Sequence, residues 1–468
     1  MVRVASSFVL LLILLEGCSS SSAIDASDAG KSVIYEAAAA SFDIEVVPIS
    51  SETETGLMLY LSIPNTSLIF EKVPQGFRAR YDITVRLHDR RSDGFVQELS
   101  WQDTTLVEHY DQTQIFAPIM RTKRITSPPG QYRLEVELDD RIDGKSARRT
   151  LGVSVENVRS SSVAIGRPIL WKKSPDGATA PVMSFHVPLS GDSLQCRFDL
   201  YNLPRDRDIP IELMLLQYRS DTTSPISPYT AMLLPLPLGW GLVNIERPDT
   251  ITREIRAVRA TSRKETLVMA LPPLAVGLYQ FSLRLEGQAA SGEDTTIIAR
   301  RFYAMKGPGF PKPVRLSELI DPLVYIATPK EMAQIRRAST PAEQRAKFEE
   351  FWLSTTHDPS LAAAQIKRYY TRVEEANRLF TTTRDGWRTD RGMLYCIIGA
   401  PADVTTHLDT QTWTYEYQGS NEVNTYVFKR LLKETEGLTI IEYVLNRLPS
   451  YEMFWDRMVD KWRSGQMP

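Results

Sequence analysis

The stretch Asp385-Gly386-Trp387-Arg388-Thr389-Asp390-Arg391-Gly392 decides how the C-terminal third of this chain is read. Upstream of it, apolar residues recur mostly at three- and four-residue spacing, from Leu361 through Ile366, Tyr369, Tyr370, Val373 and Ala376 to Phe380. That is the stripe of an amphipathic helix. Downstream, residues 393–398 form an unbroken apolar run, read as the first strand of a sheet. The stretch between them is therefore the predicted turn from helix to sheet. Gly386 is expected to take positive φ just beyond the helix, and Trp387 to bury roughly 200 Å² where helix crosses sheet. Asp390 is expected to accept from N–H groups of the turn and to pair with Arg388 or Arg391. Gly392 would let the chain enter the strand sharply.

Working outward, Thr328-Pro329-Lys330-Glu331 and Thr340-Pro341-Ala342-Glu343 each place Thr at N-cap, Pro at the first helical position and Glu at N3. This is the capping-box pattern, and it predicts two consecutive helices. Asp358-Pro359 opens the third, the one ending at Phe380. After the motif, residues 393–398, 412–417, 425–431 and 438–445 read as four antiparallel strands, with Gly419, Asn421 and Gly437 among their turn residues. Ser450 then caps a last helix striped by Tyr451, Phe454, Trp455, Met458, Val459 and Trp462.

Before residue 307 the pattern is different. Alternating apolar residues and short runs broken by Pro, Gly, Asp and Ser dominate, the signature of antiparallel β structure. Gly307-Pro308-Gly309-Phe310-Pro311-Lys312-Pro313 marks the change, since it continues neither a helix nor a central strand. Within the β half, residues 130–138 (GQYRLEVEL) read against residues 277–285 (GLYQFSLRL), each following a Pro-Pro pair, and residues 57–63 have a counterpart at 194–200. The predicted fold class is thus mainly β followed by α+β. Two immunoglobulin-like β-sandwiches at 31–157 and 160–306 precede a linker at 307–313 and an α+β domain at 314–468.

The C-terminal domain resembles the GWxTD domain of bacterial envelope proteins. Gly386, Trp387, Thr389 and Asp390 carry the motif, and Arg391 and Gly392 also match. Further matches are the pair Phe351-Trp352, the Asp358-Pro359 turn, Tyr370-Thr371-Arg372-Val373, Ala376-Asn377, Phe380, Gly399, Pro401, Trp413 and Tyr415, so the resemblance runs from about 320 to 445. It implies an envelope location and an α+β fold, and it brings no assigned biochemical activity.

Composition narrows the function classes. Lys and Arg total 55 against 57 Asp and Glu, a formal net charge of −2, which provides no field to gather nucleic acid. Three cysteines in 468 residues exclude a disulfide framework, and Cys396 reads as a buried structural thiol. His88, His109 and His186 are scattered without metal-ligand spacing, so no metal or cofactor is called for. Serine elbow, HExxH, phosphate loop and dinucleotide fingerprint are missing from the chain. The best acid–base set is Asp403 with His407, near Asp409 and the end of the presumed first strand.

The N-terminus supplies an address. Arg3, the apolar residues 8–15 and Leu15-Glu16-Gly17-Cys18 read as a signal peptide over 1–17 whose lipobox ends at Cys18, the lipid attachment site, followed by a flexible tether at 18–30. Glu16 departs from the usual lipobox residue, and Ser21-Ser22-Ala23 would suit ordinary cleavage and a secreted or soluble periplasmic product. The expected protein is an outer-membrane lipoprotein facing the periplasm, non-catalytic, which binds another envelope protein or helps assemble an envelope or secretion complex. The alternative is a periplasmic hydrolase or glycan-binding protein using a groove bordered by Trp387, Asp390, Asp403 and His407.

Overall fold

The computed structural model describes residues 24–25, 42–114, 118–160, 162–174, 176–189, 191–218, 225–230, 248–288, 294–416, 423–435 and 438–467. The signal peptide, the lipobox with Cys18 and the turn residues Gly419, Asn421 and Gly437 lie outside them. Of the predicted tether, only Ile24–Asp25 (β1) is described; it is a strand rather than free chain, because it pairs in parallel with Ile297 and Ile298.

The first sandwich opposes two antiparallel sheets. One is β2 (Asp43–Ser50), β3 (Thr55–Pro64) and β7 (Pro118–Thr126). The other has β5 (Gly76–Asp89) at its centre, between β6 (Phe95–Val107) and β8 (Gly130–Asp140), with β9 (Ser146–Val155) outside β8 and the short β4 (Glu71–Val73) also on β5. A one-turn helix, α1 (Tyr110–Gln114), joins β6 to β7. Alternate residues of both sheets, such as Leu57, Leu59, Leu61, Val85 and Val136, interdigitate as one core.

The second sandwich repeats this topology. β11 (Ile169–Lys173), β14 (Ser193–Tyr201) and β17 (Lys264–Ala270) form one sheet with the short β10 (Ala164–Ile165) and β12 (Thr179–Pro181). Facing it run β16 (Asp249–Val258), β15 (Ile209–Tyr218), β18 (Gly277–Gln288) and β19 (Asp294–Lys306), and β13 (His186–Pro188) pairs in parallel with β19. The repeated sequence falls on β8 and β18, equivalent strands of the two modules. Tyr132 donates to the Pro128 carbonyl at 2.7 Å and Tyr279 to the Ala275 carbonyl at 3.1 Å. Each is a tyrosine corner, bonding back four residues and pinning the turn that feeds its strand. The recurring Gly-x-Tyr is therefore a structural device used twice.

The third domain begins with α2 (Leu316–Ile320) and continues through α3 (Pro329–Arg336), α4 (Pro341–Thr356) and α5 (Pro359–Phe380). Its caps form largely as the sequence predicts. Thr328 accepts from Glu331 N–H while Glu331 accepts from Thr328 N–H at 2.7 Å, and Asp358 accepts from Leu361 N–H at 2.8 Å. At α4 the box is shifted, with Thr340 accepting from Glu343 N–H but the Glu343 carboxylate taking Ser339 N–H.

One element contradicts the sequence reading. Residues 393–398 are not a strand; 393–397 belong to α6 (Asp390–Ile397) and Ile398 is its C-cap, while its start is capped by Thr389, whose hydroxyl accepts from Gly392 N–H at 3.0 Å. A six-residue apolar run buried on nearly every side has no period of its own, so the N-cap at Thr389 and an acidic first-turn residue at Asp390 decide for helix. The four-stranded sheet accordingly starts later, as β20 (Asp403–Thr406), β21 (Thr410–Glu416), β22 (Val423–Thr435) and β23 (Leu438–Leu445) in sequential antiparallel order. The last helix, α7 (Glu452–Arg463), is not capped by Ser450 either. Pro449 starts a 3₁₀ turn through Tyr451, whose ring packs 4.4 Å from that of Tyr426 and so fixes where α7 can begin. Its face of Phe454, Trp455, Met458 and Trp462 is buried in the domain core.

Between the sandwiches sits a buried ion triad. Glu45 of β2 has no exposed surface, and its two carboxylate oxygens are met by Arg167 and by Arg301 of β19, with Val46 N–H donating as well. Burial alone would raise the Glu45 carboxyl; the two guanidinium groups outweigh that and hold it below the ordinary carboxylate range. Replacing one member of such a set leaves the others buried and uncompensated. Glu45→Ala is expected to lower unfolding free energy by about 3–5 kcal/mol, measured by urea denaturation with a probe in each sandwich.

Candidate functional site at the motif turn

Each residue of the motif has an identifiable contact. Beyond Phe380, the last residue of α5, the chain folds back so that Gly386 N–H reaches the Thr381 hydroxyl at 2.8 Å and Trp387 N–H the Asn377 side-chain oxygen at 3.2 Å. Asn377 also donates to the Pro311 carbonyl at 2.9 Å, tying the turn to the linker. Gly386 does not use positive φ, contrary to the sequence expectation. It is glycine because a Cβ there would lie 1.9 Å from the Ala376 carbonyl oxygen. Gly392 has the same reason, its Cβ falling 1.9 Å from the Gly386 oxygen. Backbone thus lies on backbone at two successive crossings, α5 on the turn and the turn on α6.

Trp387 is 5% exposed, and its ring meets Tyr325 edge-on at 5.9 Å; Tyr325 stands in the same relation to Trp455 of α7 at 6.2 Å. The Tyr325 hydroxyl donates to the Trp387 carbonyl at 2.6 Å. Thr389 caps α6 and donates to the Gly386 carbonyl at 2.7 Å.

Asp390 corrects a second expectation. It pairs with neither Arg388 nor Arg391 but with Arg447, 57 residues on, bidentately at 2.6 and 3.0 Å, and its Oδ2 also accepts from Leu445 N–H at 2.7 Å. Both side chains are almost fully buried, and Arg447 also donates to the Ser227 and Ile226 carbonyls of the second sandwich at 3.2 and 3.3 Å. Fork-to-fork geometry with the remaining donors on carbonyls is the arrangement in which a buried pair holds. Nothing near the motif in sequence advertises Arg447; only the return of β23 beside α6 brings it there. Arg391 lies between the rings of Phe380 and Tyr443, at 5.1 and 4.1 Å, and burial pushes its guanidinium down to about 10 despite Tyr443 and Glu442. Arg388 covers the Trp387 ring at 4.3 Å and pairs with Asp321 at 2.8 Å.

Over this turn lies a cleft of ≈ 220 Å³ between the linker, the start of α2 and the motif, with Phe310, Lys312, Arg315, Glu318, Trp387 and Arg388 among its walls. The carboxylates on its rim are engaged: Glu318 by Val314 and Arg315 N–H, Asp321 by Arg336 and Arg388, Asp385 by Lys306. Lys312 and Arg315 are exposed, and Lys312 acts electrostatically on the half-buried Glu374 of α5. The cleft therefore offers two exposed cations beside aromatic surface.

The groove predicted to join Trp387 and Asp390 to Asp403 and His407 is not assembled. Asp403 and His407 are exposed, on the edge strand β20 and the turn after it, whereas Asp390 is bonded to β23 at the opposite edge. Three strand spacings, about 14 Å, separate those edges. Among the described residues no group of three or more His, Cys, Asp or Glu is placed to hold a metal, and Cys196 and Cys396 are buried thiols whose ionisation burial pushes upward.

Two substitutions separate packing from chemistry. Gly392→Ala is expected to cost more than about 3 kcal/mol, because the obstructing atom is backbone and cannot rotate away. Asp390→Ala is expected to cost about 3–5 kcal/mol by stranding Arg447. Both are read as shifts in the urea midpoint, and an unchanged midpoint in either would contradict the structural roles described.

Residues 291–464 match the family model of the GWxTD domain. The match begins before the linker and takes in β19, which supplies Lys306 to the motif residue Asp385. No curated protein matches the chain. Among solved structures, red sea bream transglutaminase is similar over 58% of this chain and 32% of its own, at 9% identity and a TM-score of 0.20. The chain thus spans about a third of that protein, and a likeness this slight carries no argument. What the family match and the geometry of residues 386–390 establish together is that the C-terminal part of this chain is a GWxTD domain.

Proposed function

We propose that this protein is a non-catalytic cell-envelope lipoprotein whose GWxTD domain, carried on two sandwiches, binds another envelope protein or helps assemble an envelope or secretion complex. The observation that carries the reading is the engagement of the motif's own groups. Trp387, Thr389 and Asp390 are committed to packing, capping and the Arg447 pair, and the accessible surface beside them is a cleft with two exposed cations. A cleft of that character suits a protein segment with apolar and acidic side chains. The N-terminal Leu15-Glu16-Gly17-Cys18 and the apolar residues before it support lipid attachment at Cys18 and an outer-membrane site facing the periplasm. No helix among the described residues is long and apolar enough to cross a membrane, consistent with anchoring by lipid.

Two measurements test this. Cys18→Ala is expected to move the protein from the membrane to the soluble fraction; unchanged fractionation defeats the lipoprotein reading. A photo-crosslinking residue at Lys312 or Arg315 is expected to capture a discrete envelope protein from native membranes, while the same residue at the remote exposed position Phe95 is not. Equal capture at both positions would sink the cleft as the docking place.

A further inference from the structure

The first sandwich ends on one side in a long strand edge. β6 pairs with β5, and among the described residues no strand runs along its other side. From Gln97 to Val107 the pairing with β5 proceeds without a shift, which makes this the longest regular open edge among the described strands. Hydrogen bonds identify the backbone groups that face outward. Arg80, opposite Thr104 in register, turns its carbonyl away from β6 and accepts from Arg141 N–H at 3.0 Å, so Arg80 and Thr104 form a pair without mutual hydrogen bonds. Thr104 N–H donates instead to the Asp103 carboxylate at 2.7 Å, and the Thr104 carbonyl accepts from Arg121 of β7 at 3.5 Å. Backbone direction alternates along a strand, so Glu98, Ser100, Gln102 and Leu106 also aim their N–H and C=O groups outward, and all four side chains are exposed.

We propose that this edge pairs with the same edge of a second copy of the chain, antiparallel about a twofold axis at Gln102, so that one sheet continues through both first sandwiches. A twofold contact sets a surface against itself, and the strand must therefore complement its own reverse. Residues 97–107 do. With full overlap Gln102 opposes its copy, Ser100 opposes Thr104, Glu98 opposes Leu106 and Trp101 opposes Asp103, so no like charges stand directly opposite. This register makes the outward-facing residues the hydrogen-bonded pairs, which a slip of one residue would not. Both carboxylates are balanced within each copy, Glu98 by Arg86 at 2.7 Å and Asp103 by Arg121.

Open edges are ordinarily guarded by lysine, proline or a bulge. Residues 97–107 contain neither lysine nor proline, and the bulge lies before them, where the register shifts between Leu87 and His88 of β5. Only Thr104 is guarded, by Asp103 and Arg121; pairing exchanges those contacts for the Ser100 groups of the second copy, which weakens association at that position.

The test uses the full chain carrying Cys18→Ala, with mass followed against concentration by sedimentation equilibrium. A reversible dimer of twice the chain mass is expected. Gln102→Pro removes the two hydrogen bonds on the axis and should raise the dimer Kd on the order of tenfold or more. Its melting temperature at low concentration should change little, because proline is tolerated where an edge N–H faces solvent. Should that variant fold poorly, Ser100→Lys with Thr104→Lys sets lysines opposite one another at two exposed positions and should weaken the dimer likewise. Register is read by oxidation: Gln102→Cys should link two chains, whereas Leu106→Cys should not, its two copies standing about 27 Å apart along the strands. Cys196 and Cys396 are buried and stay out of the reaction. A monomer at every concentration overturns the proposal and leaves the edge to a strand of another protein. A dimer whose Kd neither variant moves, or equal linking at 102 and 106, overturns it too. Self-pairing links copies of one chain, so its mass distinguishes it from capture of another envelope protein at the cleft.

Discussion

The bidentate pair between Asp390 and Arg447 is the interaction on which the third domain's geometry depends. One carboxylate at the start of α6 receives a guanidinium from beyond β23 and the Leu445 N–H, and the same guanidinium reaches two carbonyls of the second sandwich. Helix, sheet and neighbouring module are located against each other by four hydrogen bonds of one arginine. The two motif glycines follow from this requirement, since α6 must lie on the turn, and the turn on α5, at distances no Cβ permits. Trp387 then fills the space beside those contacts, and Tyr325 links it to α7.

Charged groups are buried at both joints of the molecule. Glu45 is flanked by two arginines, which hold its carboxyl below the ordinary carboxylate range against the cost of burial. The joint below the second sandwich combines a lysine, an aspartate and a histidine that burial keeps neutral.

How much of this was legible from residues follows the range of the interactions. Thr328, Thr340 and Asp358 act on N–H groups three residues away, and their helices begin where they predict. The β8 and β18 repeat reports a bond spanning four residues, so the repeat shows in the sequence although the carbonyls its tyrosines bond do not. Residues 393–398 read as a strand because a fully buried run carries no period, and its local helix signal, Thr389 before Asp390, fits a turn equally well. His186 and Arg447 gave no signal at all: their partners lie 196 and 57 residues away.

The sequence by itself determined the elements whose causes are local: the capped helices, the alternating strands, the linker at 307–313 and the GWxTD identity carried by ordered short segments. Tertiary structure alone decided that Gly386 and Gly392 are needed for close approach rather than for φ, and that Asp390 answers to Arg447. It also decided that Asp403 and His407 lie an entire sheet away from the motif. The physical reason is that hydrogen bonds to near neighbours are fixed by chain geometry, whereas desolvated charge and backbone contact acquire their partners only when distant segments are packed together.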